Sequence, residues 1–219
     1  MDDLVEESVP LRGAALQVLR PRDAEALLDD HAFEHEEYLP YWAELWPSGV
    51  ALARRVAVRS LHGARVLELG CGLGLPSLAA ALAGGRVLAT DWSPQAIELL
   101  EENAERNGAA LETALVDWTS PAALVERAPW DLVLAADVLY ERRNVAPLLD
   151  LLPRLLRASD SGDEAPGRGQ GELWLADPGR APAEALLAGL EKGWNRRDEA
   201  DGRVTVHRLM RAPTAISAQ

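Results

Sequence analysis

Residues 65–91 constrain this chain most. Arg65–Leu69 (RVLEL) is a short apolar run that breaks into Gly70-Cys71-Gly72-Leu73-Gly74. An Ala/Leu-rich stretch, Leu75–Ala83, follows and stops at Gly84-Gly85. A short run of this kind reads as a strand buried on both faces, and the stretch after it reads as a helix with a glycine stop. A chain that repeats this unit is committed to a parallel sheet with helices on both sides.

The unit does repeat. Arg86–Thr90 is a second strand, and Ser93-Pro94 supplies an N-cap and a proline at the first helical position. The helix that follows carries Ala96, Ile97, Leu100 and Ala104 on one stripe and ends at Asn107-Gly108. Leu111–Val116 is a third strand, Ser120-Pro121 opens a short helix, and Asp131–Ala136 is a fourth strand. Val145–Ala158 reads as a leucine-rich helix interrupted by Pro147 and Pro153, with a Gly/Ser/Asp-rich loop over Ser159–Gly171. Glu172–Ala176 is a fifth strand and Pro182–Leu190 a helix. Runs around Asn195–Glu199 and Arg203–Leu209 form a hairpin across Asp201-Gly202. The expected fold is α/β, a mostly parallel sheet closing on an antiparallel hairpin strand. Residues 1–40 form a small acidic N-terminal appendage, 41–211 the main domain and 212–219 a tail. Within the appendage, Ala14–Leu19 reads as a strand and Arg22–Asp30 as a short helix.

Composition narrows the function. The chain has 219 residues, 48% of them hydrophobic, enough for a packed core. A single cysteine, Cys71, excludes a disulfide framework and a multi-thiolate zinc site. The acidic N-terminus has no apolar signal region and the apolar runs are short, so a soluble cytoplasmic protein without a membrane partner is expected. The net charge of −13 opposes non-specific nucleic-acid binding. That charge is uneven: residues 1–40 carry −8 of it. Asp29, Asp30, Glu34, Glu36 and Glu37 are expected to draw a basic protein segment towards the neighbouring site.

Ligands of such sheets bind beyond the carboxyl ends of the strands. Glu68 and Gly70, Cys71, Gly72 and Gly74 follow the first strand, Asp91-Trp92 the second and Asp117-Trp118 the third. The glycines let a ligand approach the backbone, and the helix after them points free N–H groups at the same place. Their spacing departs from the dinucleotide G-x-G-x-x-G, because Leu75 stands where the last glycine belongs, which disfavours a nicotinamide oxidoreductase. Asp91 lies about 20 residues on, where a carboxylate can bind ribose hydroxyls. Cys71, between two glycines, reads as a small packing residue. The spacing of His31, Glu34 and His35 matches the H-x-x-E-H pattern of zinc proteases, but there is no clear third ligand, and no metal is expected.

VLELGCGLG, LATDWSP, LVDWTS and DLVLAADVLY resemble, in this order, the motifs of the class I S-adenosylmethionine-dependent methyltransferases. The resemblance implies a Rossmann-like, doubly wound, seven-stranded sheet and S-adenosylmethionine as cofactor. It places Glu68 and the glycines at the methionine part and ribose, Asp91 at the ribose hydroxyls, and Asp117 and Trp118 at the adenine. Trp46, Cys71, Trp92 and Ala136 complete the expected cofactor set. The segment Pro40–Gly49, with Trp42, Trp46 and Pro47, together with Asp137-Val-Leu-Tyr140 and Asp177-Pro-Gly-Arg180, resembles the protein lysine methyltransferase branch that includes the electron-transfer flavoprotein β-subunit lysine methyltransferase. Asp137 and Tyr140 are the expected catalytic residues, and Trp42 and Arg180 the expected substrate contacts. Trp42 has core packing, and Arg180 an ion pair, as the competing role. The expected partner is a protein with an accessible lysine. A small-molecule amine, RNA, and a non-catalytic cofactor-binding module stand as alternatives.

Overall fold

The computed structural model of the chain describes residues 3–27, 40–157 and 170–212. A hairpin of β1 (Leu4–Pro10) and β2 (Ala15–Pro21) precedes the main sheet, and α1 (Pro47–Val56) leads into it. Then come β3 (Arg65–Leu69), α2 (Leu75–Leu82), β4 (Arg86–Asp91), α3 (Pro94–Asn107), β5 (Leu111–Leu115), α4 (Ala122–Glu126) and β6 (Leu132–Ala136). The chain continues through α5 (Val145–Leu155), β7 (Glu172–Asp177) and α6 (Ala181–Leu190) and ends in β8 (Trp194–Asp201) and β9 (Val204–Arg211). The seven-stranded sheet has the order β5-β4-β3-β6-β7-β9-β8, with β9 antiparallel to both its neighbours.

Period-two alternation divides the core between two faces. Val66, Ala89 and Leu134 pack with Leu52, Leu78 and Leu100 of α1, α2 and α3. Leu67, Leu69 and Val133 face the other way, onto Leu124, Leu151 and Leu186 of α4, α5 and α6. Ser93 caps α3 by accepting from the Ala96 N–H at 3.3 Å, and Gly108 ends it with φ 63°. No helix among the described residues is long and apolar enough to cross a membrane.

The elements match the sequence reading within a few residues, with four differences. The chain leaves α5 at Leu155 rather than Ala158, because the backbone turns to pair with Trp130: the Trp130 N–H donates to the Leu155 carbonyl at 2.8 Å and the Arg157 N–H to the Trp130 carbonyl at 3.2 Å. α1 went unread, although Pro47 at its first position is a start signal. β1 also went unread, because Glu6 and Glu7 break its apolar pattern. Both acids are ion-paired, Glu7 with Arg20 and Glu6 with Arg106 of α3 at 2.6 Å. Of the helix expected over Arg22–Asp30, a single turn at Glu25–Leu27 forms within the described residues. The five clustered acids named above, the His31–His35 pattern, most of the 159–171 loop and nearly all of the 212–219 tail lie outside the described residues.

Candidate active site

From β3 the chain runs out through β4 and β5, then returns to β6 on the other side of β3. Neighbouring strand ends therefore send their loops in opposite directions at β3 and β6, and a crevice opens there. It holds a cavity of about 440 Å³, within the range of small-molecule and cofactor sites.

The floor is the glycine turn. Gly70, Gly72 and Gly74 all have positive φ and all line the cavity, with Cys71 between them. At Gly72 a Cβ would sit 3.1 Å from the Trp42 carbonyl oxygen, so the absence of a side chain lets the Trp42 backbone roof the turn. At Gly74 a Cβ would overlap Leu100 Cδ1 at 2.1 Å, so the turn could not lie so close to α3.

Asp91, at the tip of β4, is 5% exposed and lines the cavity. Its Oδ2 accepts the Gly72 N–H at 2.9 Å and its Oδ1 the Ser93 N–H at 3.0 Å. Each oxygen keeps a further acceptor site, suited to a pair of vicinal hydroxyls. Burial raises the Asp91 pKa above the usual carboxylate value, against the N–H donors of Ser93 and Gly72. Glu68 is buried at the bottom of the cavity and accepts from the Ser77 hydroxyl. Burial lifts its pKa to about 8, with Ser77 opposing and Asp91 adding to the rise. Burial, and then the charges of Asp91 and Glu68, push the Cys71 thiol well above its ordinary value. The thiol stays protonated and packs rather than attacks.

Trp92 and Trp118 line the cavity on the Asp91 side, Trp92 being 43% exposed. Asp117 does not line it. Its exposed carboxylate turns back on its own loop, where Oδ1 accepts the Thr119 N–H at 2.7 Å and hydroxyl at 2.8 Å. A nucleoside fits the rest of this half: a buried diol acceptor, two flanking indoles and an open backbone turn. Asp91, Glu68, the glycines, Trp92 and Trp118 thus share one half of the cavity.

The other half gathers Ala136 at the end of β6, Asp137 and Tyr140 after it, Arg180 after β7, and Trp42 and Trp46 before α1. Trp42 is buried in the core cluster, so its packing role is met even though its edge lines the cavity. Trp46 is half exposed, and its indole N–H donates to the Tyr41 carbonyl at 2.6 Å. Arg180 lines the cavity with its guanidinium ion-paired to Asp137 and Asp177. Burial works against its charge, but the two carboxylates outweigh it and raise the Arg180 pKa.

Eight lining residues fall outside the expected set, and three of these carry polar or aromatic side chains: Tyr41, Glu44 and Glu141. Tyr41 links Trp46 to Tyr140, its ring centre 6.3 Å from that of Trp46 and 5.0 Å from that of Tyr140. Its place beside Trp42 in the PYWAELWP run was the available signal. Burial, with Glu141 adding, pushes the Tyr140 hydroxyl up to about 12, so Tyr140 stays neutral.

Comparison with known proteins agrees with this geometry. A family model described as lysine methyltransferase matches residues 34–161. The chain is 34% identical over 146 residues to the electron transfer flavoprotein beta subunit lysine methyltransferase of Xenopus laevis, covering 65% of this chain and 54% of that protein. It is 32% identical over 159 residues to a protein N-lysine methyltransferase of Danio rerio, covering 68% and 71% respectively. The chain spans about half the length of the first of these relatives. Among solved structures it is similar to a 16S rRNA N2 methyltransferase of T. thermophilus in complex with AdoMet and guanosine, with TM-score 0.68 and 15% identity, covering 97% of this chain and 52% of that one. That likeness shows a shared fold.

Proposed function

Since the chain belongs to the lysine methyltransferase family, we propose that it methylates the side-chain amine of a protein lysine, using S-adenosylmethionine. One observation carries the reading: two buried carboxylates, Asp91 and Asp137, line a single cavity from adjacent halves of the switch point. When bound, S-adenosylmethionine supplies an electrophilic methyl group on a sulfonium. Asp91 would hold the ribose hydroxyls, with Trp92 and Trp118 beside the base. Tyr41, Trp46 and Tyr140 present aromatic faces, which attract a cationic centre in a desolvated site. Asp137 draws the lysine ammonium in and orients the neutral amine that remains once the ammonium has released its proton to bulk water. Held in this way, the neutral amine would face the methyl group that the cofactor supplies. The chain's part is positioning and exclusion of water, which can account for most of such a rate enhancement.

The acidity of the chain favours a basic protein segment over RNA. Two experiments test the reading. Calorimetric titration should show S-adenosylmethionine binding, and Asp91→Ala should weaken it by about 10²-fold through loss of two hydrogen bonds to a charged acceptor. Undiminished binding in that variant rejects the cofactor assignment. A cell lysate incubated with the chain and tritiated cofactor should yield label that protease releases, RNase leaves intact and hydrolysis recovers as methyllysine. Label that survives protease rejects a protein substrate.

A further inference from the structure

Asp137 adopts φ 57°, in the left-handed region. For a residue with a Cβ this costs about 1 kcal/mol or more and persists where the surroundings over-determine it. Three contacts do so. The Asp137 N–H donates to the Ala176 carbonyl at 3.0 Å, its Oδ2 accepts the Ser48 N–H at 3.3 Å, and its Oδ1 accepts from Arg180 Nη1. Ser48 is in the first turn of α1, whose N-cap, Trp46, makes no side-chain cap. The Asp137 carboxylate therefore stands at the positive end of that helix.

Arg180 is held from behind. Its Nη1 also lies 3.3 Å from Asp177 Oδ2, while Asp177 Oδ1 accepts the backbone N–H groups of Gly179 and Arg180, both at 2.7 Å. Asp177 is fully buried and does not line the cavity, whereas Asp137 and Arg180 do. One guanidinium nitrogen, Nη1, thus bridges a carboxylate inside the site and one behind it.

We propose that Arg180 is a positioning residue for methyl transfer: anchored by Asp177, it fixes the Asp137 carboxylate in the orientation that receives the substrate amine. This rests on the methyltransferase reading above. The trio has a formal charge of −1, so it still attracts an incoming ammonium. Arg180 acts on the amine through Asp137.

The test uses the full chain with Arg180→Met, Arg180→Lys, Asp177→Asn, Asp137→Asn and the double variant Asp137→Asn/Arg180→Met. Initial rates of tritium transfer from S-adenosylmethionine to a heat-treated, dialysed lysate are measured with the lysate concentration varied. Arg180→Met should lower the maximal rate by about 10-fold or more, with half-saturating lysate and S-adenosylmethionine Kd within about threefold, as expected for misplacement of a reacting group. Arg180→Lys should recover part of the loss. In the Asp137→Asn background Arg180→Met should add less than about twofold, the mark of two residues acting as one unit. Asp177→Asn, which is isosteric, should lower the maximal rate in the same manner even if Arg180→Met does not fold. In crystals, Asp137 should leave its left-handed φ in Arg180→Met and keep it in Arg180→Lys. Additive losses, an unmoved Asp137 in Arg180→Met, or tighter substrate saturation in that variant would each overturn the proposal; the last would mean that Arg180 competes with the substrate. A wild-type chain that moves no label overturns the methyltransferase reading and this inference with it.

Discussion

A methyl group added at Gly74 would lie 2.1 Å from Leu100 Cδ1 at φ 76°, whereas at Gly108, with φ 63°, it would meet nothing within 4 Å. Both positions carry the left-handed penalty, but Gly74 adds a clash with a fully buried leucine. Gly74→Ala should therefore destabilise the chain by about 2–4 kcal/mol and Gly108→Ala by about 1 kcal/mol, measured by urea unfolding. Glu68 sets a pH dependence. Its carboxyl keeps its proton up to about pH 8 in the folded chain but ionises near 4.5 when unfolded. Between those values the unfolded state binds fewer protons, so stability falls as pH rises. Glu68→Gln removes that share of the slope and can still accept from Ser77. Its Tm relative to wild type should climb steadily from pH 5 to pH 8, and a flat difference would contradict the burial of the charge.

At the scale of elements, the N-terminal hairpin is held in a way that its sequence does not advertise. A two-stranded hairpin is marginal alone. Here, one turn apart on α3, Asn103 and Asn107 present their amides to the free edge of β2. Asn103 accepts the Leu19 N–H at 2.7 Å and donates to the Leu19 carbonyl at 3.1 Å, and Asn107 does the same for Gln17 at 2.9 and 2.7 Å. Two side chains thus stand in for a third strand. Val9, Leu16, Val18 and Leu19 add apolar contact with the core. Asn103→Ala leaves two backbone groups without partners and should cost about 2–3 kcal/mol. In hydrogen exchange the amides of β2 should lose protection while those of β3 and β6 keep theirs, as for a local unit that opens by itself.

At the scale of the whole molecule, a ligand that binds only the folded chain stabilises it by mass action. At 100 times Kd the gain is about 2.7 kcal/mol. For a chain of this length that gain corresponds to about 5–10 °C in Tm. S-adenosylmethionine should produce this shift in thermal melts of the wild type and not of Asp91→Ala. Most of what carries that expectation was legible in the residues. The buried strands announce themselves as short apolar runs that end in glycine, aspartate or an Asx turn. The parallel order follows from their alternation with helices, and so does the side on which Glu68, Asp91 and Asp137 emerge. These signals are local, because burial on both faces and tight turns each leave a mark within about ten residues. The rest is long-range. Asp137 meets Ser48 across 89 residues and Arg180 across 43, and Asn103 meets Leu19 across 84. No spacing encodes such contacts. Asp117 looked equivalent to Asp91 at a strand tip, yet its loop turns it onto Thr119, while Asp91 is pinned inward by Gly72. By itself the sequence determined the sheet, the strand-end loops that bear the site and the family. The tertiary structure alone decided which carboxylates are buried, what holds them and which cation they share, because close approach of distant segments fixes desolvation and ion pairing.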